Sequence, residues 1–276
     1  MRLLRRPPWV ADSSQRRKLM KISPRQNKIL KAIIREYVKT ALPVSSSRLA
    51  GKDNFNLSPA TIRNEMAVLE ARGLIEQPHT SSGRVPTDQG YRYFVDYLLS
   101  EKSLSREEQK KLALELLKTK AGHNKLLRRM TKILSRLTGG IALTSVQDDE
   151  WVFDYGLSRL LREPEFDEKA SVSEMVEMVD LLDEHANELV NERGQELEIY
   201  IGRENPLSAS RNCSLMVSRF FLPSGERGVI AILGPKRMRY GRNMSILDYM
   251  IKLLGGATLG GFFLVDCGGQ LSKFLY

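Results

Sequence analysis

Cysteine is scarce in this sequence. Two occur in 276 residues, Cys213 and Cys267, far apart and without a pairing pattern. A disulfide framework and a cysteine-based zinc site are therefore excluded, and a reducing, cytoplasmic setting is expected. Long apolar runs are missing too. The longest near the end, Ala257 to Val265, is interrupted by Gly260 and Gly261 and falls well short of the roughly 20 residues that a membrane helix needs, so no membrane association is expected. The opening Met1 to Pro8 is basic, but no long apolar core follows it, and it does not work as a secretory signal. The three histidines, His79, His123 and His185, are dispersed. With no clustered Cys or carboxylate spacing beside them, no metal site is expected.

Signatures of catalysis are absent as well. Pro78 to Gly83 brings a histidine close to serines, but no strand-to-helix elbow accompanies them and no oxyanion hole can be read. Gly225-Glu226-Arg227-Gly228 and Gly234-Pro235 lack the Gly-Lys-Ser/Thr ending of a phosphate-binding loop and read as turns. The chain is expected to be neither an enzyme nor the holder of a cofactor.

What is present is a 42% hydrophobic fraction, enough to build one or two cored domains, and a charge that is unevenly placed. Residues 1–97 hold 18 Lys+Arg against 8 Asp+Glu, whereas the remainder holds 25 against 25. All of the excess positive charge sits in the first third. Cations that neutralise phosphates release condensed counterions and gain affinity, so this end reads as a polyanion-binding end. The plainer reading is a solvated surface, six of whose charges come from residues before Met20. That opening stretch is either a basic arm or a product of start-codon choice.

Ser23-Pro24 reads as a helix start, with Ile29, Ile33, Ile34, Tyr37 and Val38 at helical spacing. Leu42-Pro43-Val44 breaks this helix, and Ser45-Ser46-Ser47 caps a short second one through Leu49 and Ala50. Ser58-Pro59 opens a third, with Ile62, Met66 and Leu69 inward and Gly73 at its end. Next come a strand at Leu74 to Gln77, a turn-rich loop from Pro78 to Arg84, then Val85-Pro86 and a helix through Tyr91, Phe94, Leu98 and Leu99. This order is that of a winged helix-turn-helix. Two charged helices with leucine stripes follow between Leu112 and Leu137, divided near Ala121-Gly122 and suited to packing or self-association. Beyond them lie short strands at Ile141 to Leu143 and Trp151 to Phe153 and a helix from Val172 to about Val190. Strands at 197–201, 214–221 and 228–233 and a closing helix from Ile246 to Leu254 complete the pattern. The fold class is α+β: a winged helix-turn-helix at 21–99 after an arm at 1–20, a helical linker at 100–140, a smaller α/β domain at 141–254 and a Gly-rich tail at 255–276.

In such a fold the third helix enters the major groove, which is wide enough for a helix and displays a readable donor and acceptor pattern. Pro59 and Ala60 are small enough for close approach, while Thr61, Arg63 and Asn64 supply contacts. Arg63 suits guanine and Asn64 suits adenine, and either suits phosphate equally well. Ser45, Ser46, Ser47 and Ser58 at helix starts, and Thr87 beyond the loop, add hydroxyls as further candidate DNA contacts. The loop with His79, Thr80, Ser82, Gly83 and Arg84 reads as a wing, its arginine able to reach the minor groove, or else as an ordinary surface hairpin. Lys236-Arg237-Met238-Arg239-Tyr240 and Asp148-Asp149-Glu150 read as solvated turns, and Cys213 as an inert strand residue.

Residues 58–92, SPATIRNEMAVLEARGLIEQPHTSSGRVPTDQGYR, closely resemble the heat-inducible transcription repressor family HrcA. Gly156-Leu-Ser, Pro164-Glu-Phe, Ile201-Gly-Arg-Glu-Asn-Pro, Cys213-Ser-Leu and Gly234-Pro-Lys-Arg-Met-Arg-Tyr extend the resemblance, which runs from about Ile22 to Leu254. It implies a repressor that binds, as a homodimer, an inverted-repeat operator in double-stranded DNA ahead of chaperone operons, kept active by the GroEL chaperonin and released when unfolded clients occupy that chaperonin. It further implies a GAF-like second domain with a structural, dimer-forming role. One departure is clear: only some fifteen residues, Ile141 to Tyr155, stand where the family carries a longer stretch with part of the sheet and an inserted dimerisation domain. The GAF-like domain is thus expected to be shortened, and the leucine-rich helices between Leu112 and Leu137 become the candidate dimer surface. Two other readings stand beside this one, a ligand sensor with winged-helix output and a module whose winged helix contacts protein or RNA.

Overall fold

The computed structural model describes residues 22–51, 56–99, 103–117, 123–146, 149–167, 169–185, 197–205, 212–222, 225–255, 264–265 and 271–272. The expected basic arm, the Ala121-Gly122 break, Cys267 and most of the Gly-rich tail lie outside them. Two compact units are present, residues 1–100 with 201–206, and residues 101–200 with 207–276.

In the first unit, helix α1 spans Pro24–Thr40. Its start is a reciprocal cap: the Gln26 amide donates to the Ser23 hydroxyl and the Ser23 amide donates to the Gln26 side chain, satisfying two otherwise orphaned donors. Helices α2 (Ser46–Ala50) and α3 (Pro59–Ala71) begin at Ser45 and Ser58, each hydroxyl accepting a backbone amide three residues on. Ile29, Leu30, Ile33, Leu49, Ile62, Leu69 and Leu74 are all fully buried, which joins the three helices into one core. Strands β1 (Ile75–Glu76) and β2 (Val85–Pro86) pair antiparallel around the loop between them. Helix α4 (Asp88–Tyr93) starts at Thr87 and runs into a π-helical turn, Phe94–Leu98.

The second unit is built on a five-stranded sheet of order β4-β3-β7-β6-β5. Its strands are β3 (Ile141–Val146), β4 (Asp149–Tyr155), β5 (Glu198–Ile201), β6 (Cys213–Phe221) and β7 (Arg227–Pro235). The pairs β3 with β4, β3 with β7, and β6 with β7 are antiparallel. Strands β6 and β7 are buried almost throughout, because the sheet is covered on both faces. On one face Ile141, Leu143, Cys213, Leu215, Val217 and Leu233 cluster with Leu160, Phe166, Met175 and Met178. These last four come from helix α7 (Leu157–Leu160), the 3-10 turn Pro164–Phe166 and helix α8 (Lys169–His185). The other face carries helices α6 (His123–Thr138) and α9 (Tyr240–Leu254), which also touch each other. Polar pairs key that face: the Thr131 hydroxyl of α6 donates to Thr144 of β3 at 2.7 Å, and the hydroxyls of Ser214 and Tyr240 lie 2.8 Å apart. The whole is α+β, with the winged helix first and a helical and sheet-containing part after it whose layering is consistent with a GAF-like fold.

Several sequence expectations change. The helices expected as a linker at 100–140 belong to the second unit, where α6 lies on β3 and β4 and α5 (Arg106–Leu117) packs on α6. Their stripe, Leu112, Leu116, Leu126, Leu127, Met130, Ile133 and Leu134, is buried within the chain, so these leucines are not an open dimer surface. Gly228, Gly234 and Pro235 are strand residues rather than turn residues. At Gly228 a Cβ would lie 2.2 Å from the Phe220 ring directly across the ladder, so the glycine makes room for the aromatic. The 236–240 run is no solvated turn: Met238 and Tyr240 are buried and the Arg237 guanidinium pairs with Glu163 and Glu165. Finally, residues 202–205, expected inside the 141–254 domain, group with the first unit.

One titration follows from the second unit's packing. The Tyr249 hydroxyl of α9 donates to the Gln109 carbonyl at 2.9 Å, and burial pushes its phenol up to about 12. The neutral form is the one the fold favours, so its contribution is complete below the ordinary tyrosine value of 10 and fades as pH rises from there towards 12. Thermal melts between pH 9 and 12 should show stability falling across that window, with a shallower fall in Tyr249→Phe.

Candidate nucleic-acid interface

Helix α3 has two faces. Ile62, Met66 and Leu69 point into the core, and Pro59, Ala60, Arg63, Asn64, Ala67 and Val68 are exposed. The exposed face is small and polar over its first turns, and Arg63 has no carboxylate partner among the described residues. Ser58 and Thr61 close the helix start with hydroxyls 2.9 Å apart. Beside them, Ser45 and Ser47 of α2 are exposed with hydroxyls 3.0 Å apart. Among the described residues of the first unit nothing covers this helix-turn-helix surface, and its cation can meet an anion or a base edge.

The wing is a shaped loop rather than a slack hairpin. The Gln77 side-chain amide donates to the carbonyls of Thr80 and Ser82 at 2.8 and 3.0 Å. Ser82 accepts from the His79 amide and donates to the His79 carbonyl. At its base the Arg84 amide donates to the Val44 carbonyl and the Val44 amide to the Arg84 carbonyl, both at 2.9 Å. This bridge fastens the wing to the segment entering α2. His79, Thr80 and Ser81 are left exposed at the tip.

The sequence-derived candidates therefore divide. Ser47, Pro59, Ala60, Thr61, Arg63, Asn64, His79 and Thr80 lie on accessible surface of the helix pair and the wing tip. The others have structural partners. Ser46 is buried, and Ser45, Ser58 and Thr87 cap helices, Thr87 also donating to the Gly73 carbonyl at 2.6 Å. Ser82 and Gly83 shape the wing. Arg84, expected to reach a minor groove, instead holds Glu70 of α3 through Nε at 3.0 Å and Nη2 at 2.9 Å. A carboxylate 14 residues earlier meets it, and its guanidinium is spent on joining wing to helix. Gln77 and Glu70 escaped the sequence reading because an amide or a carboxylate in a polar stretch carries no local signal of its partner.

One buried pair steadies this unit. Arg92 of α4 donates to the Glu204 carboxylate at 2.9 and 3.1 Å, and Glu204 also accepts the Ile201 amide at 3.0 Å. Glu204 is 5% exposed at its side chain. Burial works against the Arg92 charge, but hydrogen bonding to Glu204 and its charge outweigh that and raise the guanidinium's pKa.

Two family models match this chain: the HrcA winged helix-turn-helix transcription repressor DNA-binding domain over residues 21–96, and the HrcA protein C-terminal domain over residues 94–244. The second alone spans more than half of the chain. The chain belongs to the HrcA family. It is 26% identical to the heat-inducible transcription repressor HrcA of Desulfitobacterium hafniense, covering 85% of this chain and 97% of that protein, and 28% identical to that of Bacillus pumilus, covering 86% and 98%. A shorter match, 46% identical, to HrcA of Pelotomaculum thermopropionicum takes in 45% of this chain and 36% of that one. A crystal structure of a protein described as hypothetical has the same fold, with a TM-score of 0.67 at 23% identity over 86% of this chain and 97% of that one. The Desulfitobacterium alignment runs over 339 positions but uses 85% of these 276 residues, about 235. About 100 positions of that HrcA thus lack a counterpart here, in keeping with the short span between Gly140 and Gly156. Among the described residues no helix is long and apolar enough to cross a membrane, and no cluster of potential metal ligands occurs.

Proposed function

We propose that this chain is a cytoplasmic repressor, without catalytic activity, that binds an inverted-repeat operator ahead of chaperone genes. Helix α3 reads the major groove and the wing rests on the neighbouring backbone. The observation that carries this is the accessible Pro59-Ala60-Thr61 and Arg63-Asn64 surface, with an arginine that meets no carboxylate among the described residues, on a winged helix of the HrcA family. A symmetric operator calls for two reading heads about one helical turn apart, hence for a homodimer. Its contact draws on surfaces other than the buried leucine stripe. The resemblance further assigns a GroEL chaperonin the role of keeping the repressor active.

The test is a gel-shift titration against an inverted-repeat duplex from a chaperone promoter and a scrambled control, at two salt concentrations, with and without chaperonin. Salt-sensitive preference for the repeat is expected, and equal weak binding to both duplexes even with chaperonin would overturn the proposal. Arg63→Ala should weaken binding to the repeat by about 1 to 3 kcal/mol if it reads a base, with the melting temperature unchanged. An equal loss on the scrambled duplex would assign it to phosphate instead. The alternative, a regulator whose second domain senses a ligand, is favoured by one feature of that domain.

A further inference from the structure

The second unit contains a recess of about 530 Å³ formed by α5, α6, the end of β4 and α7. Among the described residues five cations line it, Arg129, Lys132, Arg136, Arg159 and Arg162, against one carboxylate, Glu115. Two of the five are engaged. Arg136 donates to both Glu115 oxygens at 2.8 and 2.6 Å, and Arg159 donates to the Ser135 carbonyl at 2.9 Å. Lys132 and Arg162 have no carboxylate partner among the described residues. The Nε of Arg129 is buried with no hydrogen-bond partner among them, a state that a fold tolerates only at a cost unless something fills it.

The placement concentrates charge rather than spreading it. Arg129, Lys132 and Arg136 stand three and four residues apart on α6 and share one face, where like charges work against the helix. Arg159 and Arg162 bring two more guanidiniums from α7 and just after it. In a protein whose net positive charge otherwise lies wholly in residues 1–97, this convergence needs an anion. Guanidinium groups match phosphate oxygens in bidentate geometry. The volume falls in the range of small-molecule sites, roughly 300 to 1,000 Å³, and Tyr155 adds an aromatic ring to the lining. A duplex presents its phosphates on a convex surface, and a concave recess of this size suits a smaller polyanion.

We propose that this recess binds a phosphorylated small molecule of nucleotide size, a nucleoside di- or triphosphate or a short phosphate chain. The site shares no residue with the helix-turn-helix surface, and the proposal does not depend on the operator reading.

The experiment is calorimetric titration of the full chain at physiological salt with a nucleoside triphosphate, inorganic tripolyphosphate and sulfate, in wild type, in Arg129→Met and in the double variant Lys132→Glu, Arg162→Glu. Both replaced residues of the double variant are exposed, so its melting temperature without ligand should stay within about 2 °C of wild type. Saturable binding of one triphosphate per chain is expected, weakened about 100-fold in the double variant, at about tenfold for each charge-assisted hydrogen bond removed. The ligand should raise the melting temperature of the wild type and not that of the double variant. Stronger binding of the nucleoside triphosphate than of tripolyphosphate would assign the base a contact, and equal binding would assign recognition to the phosphate chain; both support the site. Any of these results overturns it: no saturation, sulfate competing as well as triphosphate, or triphosphate binding that the double variant and Arg129→Met leave intact. Loss of duplex affinity in the double variant, with no triphosphate binding by wild type, would also overturn it and make the recess a DNA contact.

Discussion

Glu204→Ala is expected to destabilise the first unit by about 3 to 5 kcal/mol, because removing one partner of a buried ion pair strands the other charge. Arg92, 19% exposed at its side chain, would keep its guanidinium in a site made for a carboxylate, with Asp96 beside it. The Ile201 amide would lose its acceptor at the same time. Urea denaturation followed by far-ultraviolet dichroism measures the loss. The companion variant Arg92→Met, Glu204→Leu should recover most of it, since an apolar pair of similar volume removes both charges together. A loss under about 1 kcal/mol in Glu204→Ala would mean that water reaches the pair and that it behaves as a surface bridge.

The second large effect belongs to the wing. Gly83→Val should lower stability by about 1 to 3 kcal/mol and duplex affinity at least tenfold. A Cβ at this position would stand 2.4 Å from the Val44 carbonyl carbon and 2.5 Å from its oxygen. Those are backbone atoms with no rotamer to escape into, so the wing has to part from the α2 entry. Both backbone hydrogen bonds between Val44 and Arg84 go with it. Melting and gel-shift titration on the same preparation separate this variant from Arg63→Ala, which should reduce affinity with no change in stability. If Gly83→Val bound the duplex as well as wild type, the wing would have no part in holding DNA.

Helix starts were legible because their chemistry is local. Ser23, Ser45 and Ser58 each precede a helix and accept an amide three residues on, a relation spanning only a few residues. The inward stripe of α3 was legible for the same reason, since Ile62, Met66 and Leu69 are bound to one face by helical periodicity alone. The strands of the second unit, too, announced themselves as apolar runs between turns.

What a side chain meets at a distance was not legible. Arg84 read as a groove-reaching cation and is held by Glu70, which the chain brings alongside only when α3 and the wing pack. Ile201-Gly-Arg-Glu-Asn-Pro read as part of the second domain, and Glu204 instead completes the first through Arg92. The leucines of α5 and α6 showed an apolar stripe, and a stripe specifies that a face will be buried without specifying against what. The sequence by itself determined a winged helix with a small, polar, cationic face on its third helix and a sheet-bearing second part, because caps, periodicity and turn residues act within one or two turns of the chain. The tertiary structure alone decided which of those residues stay accessible and which are paired, because ion pairs and packing join residues that the sequence leaves far apart.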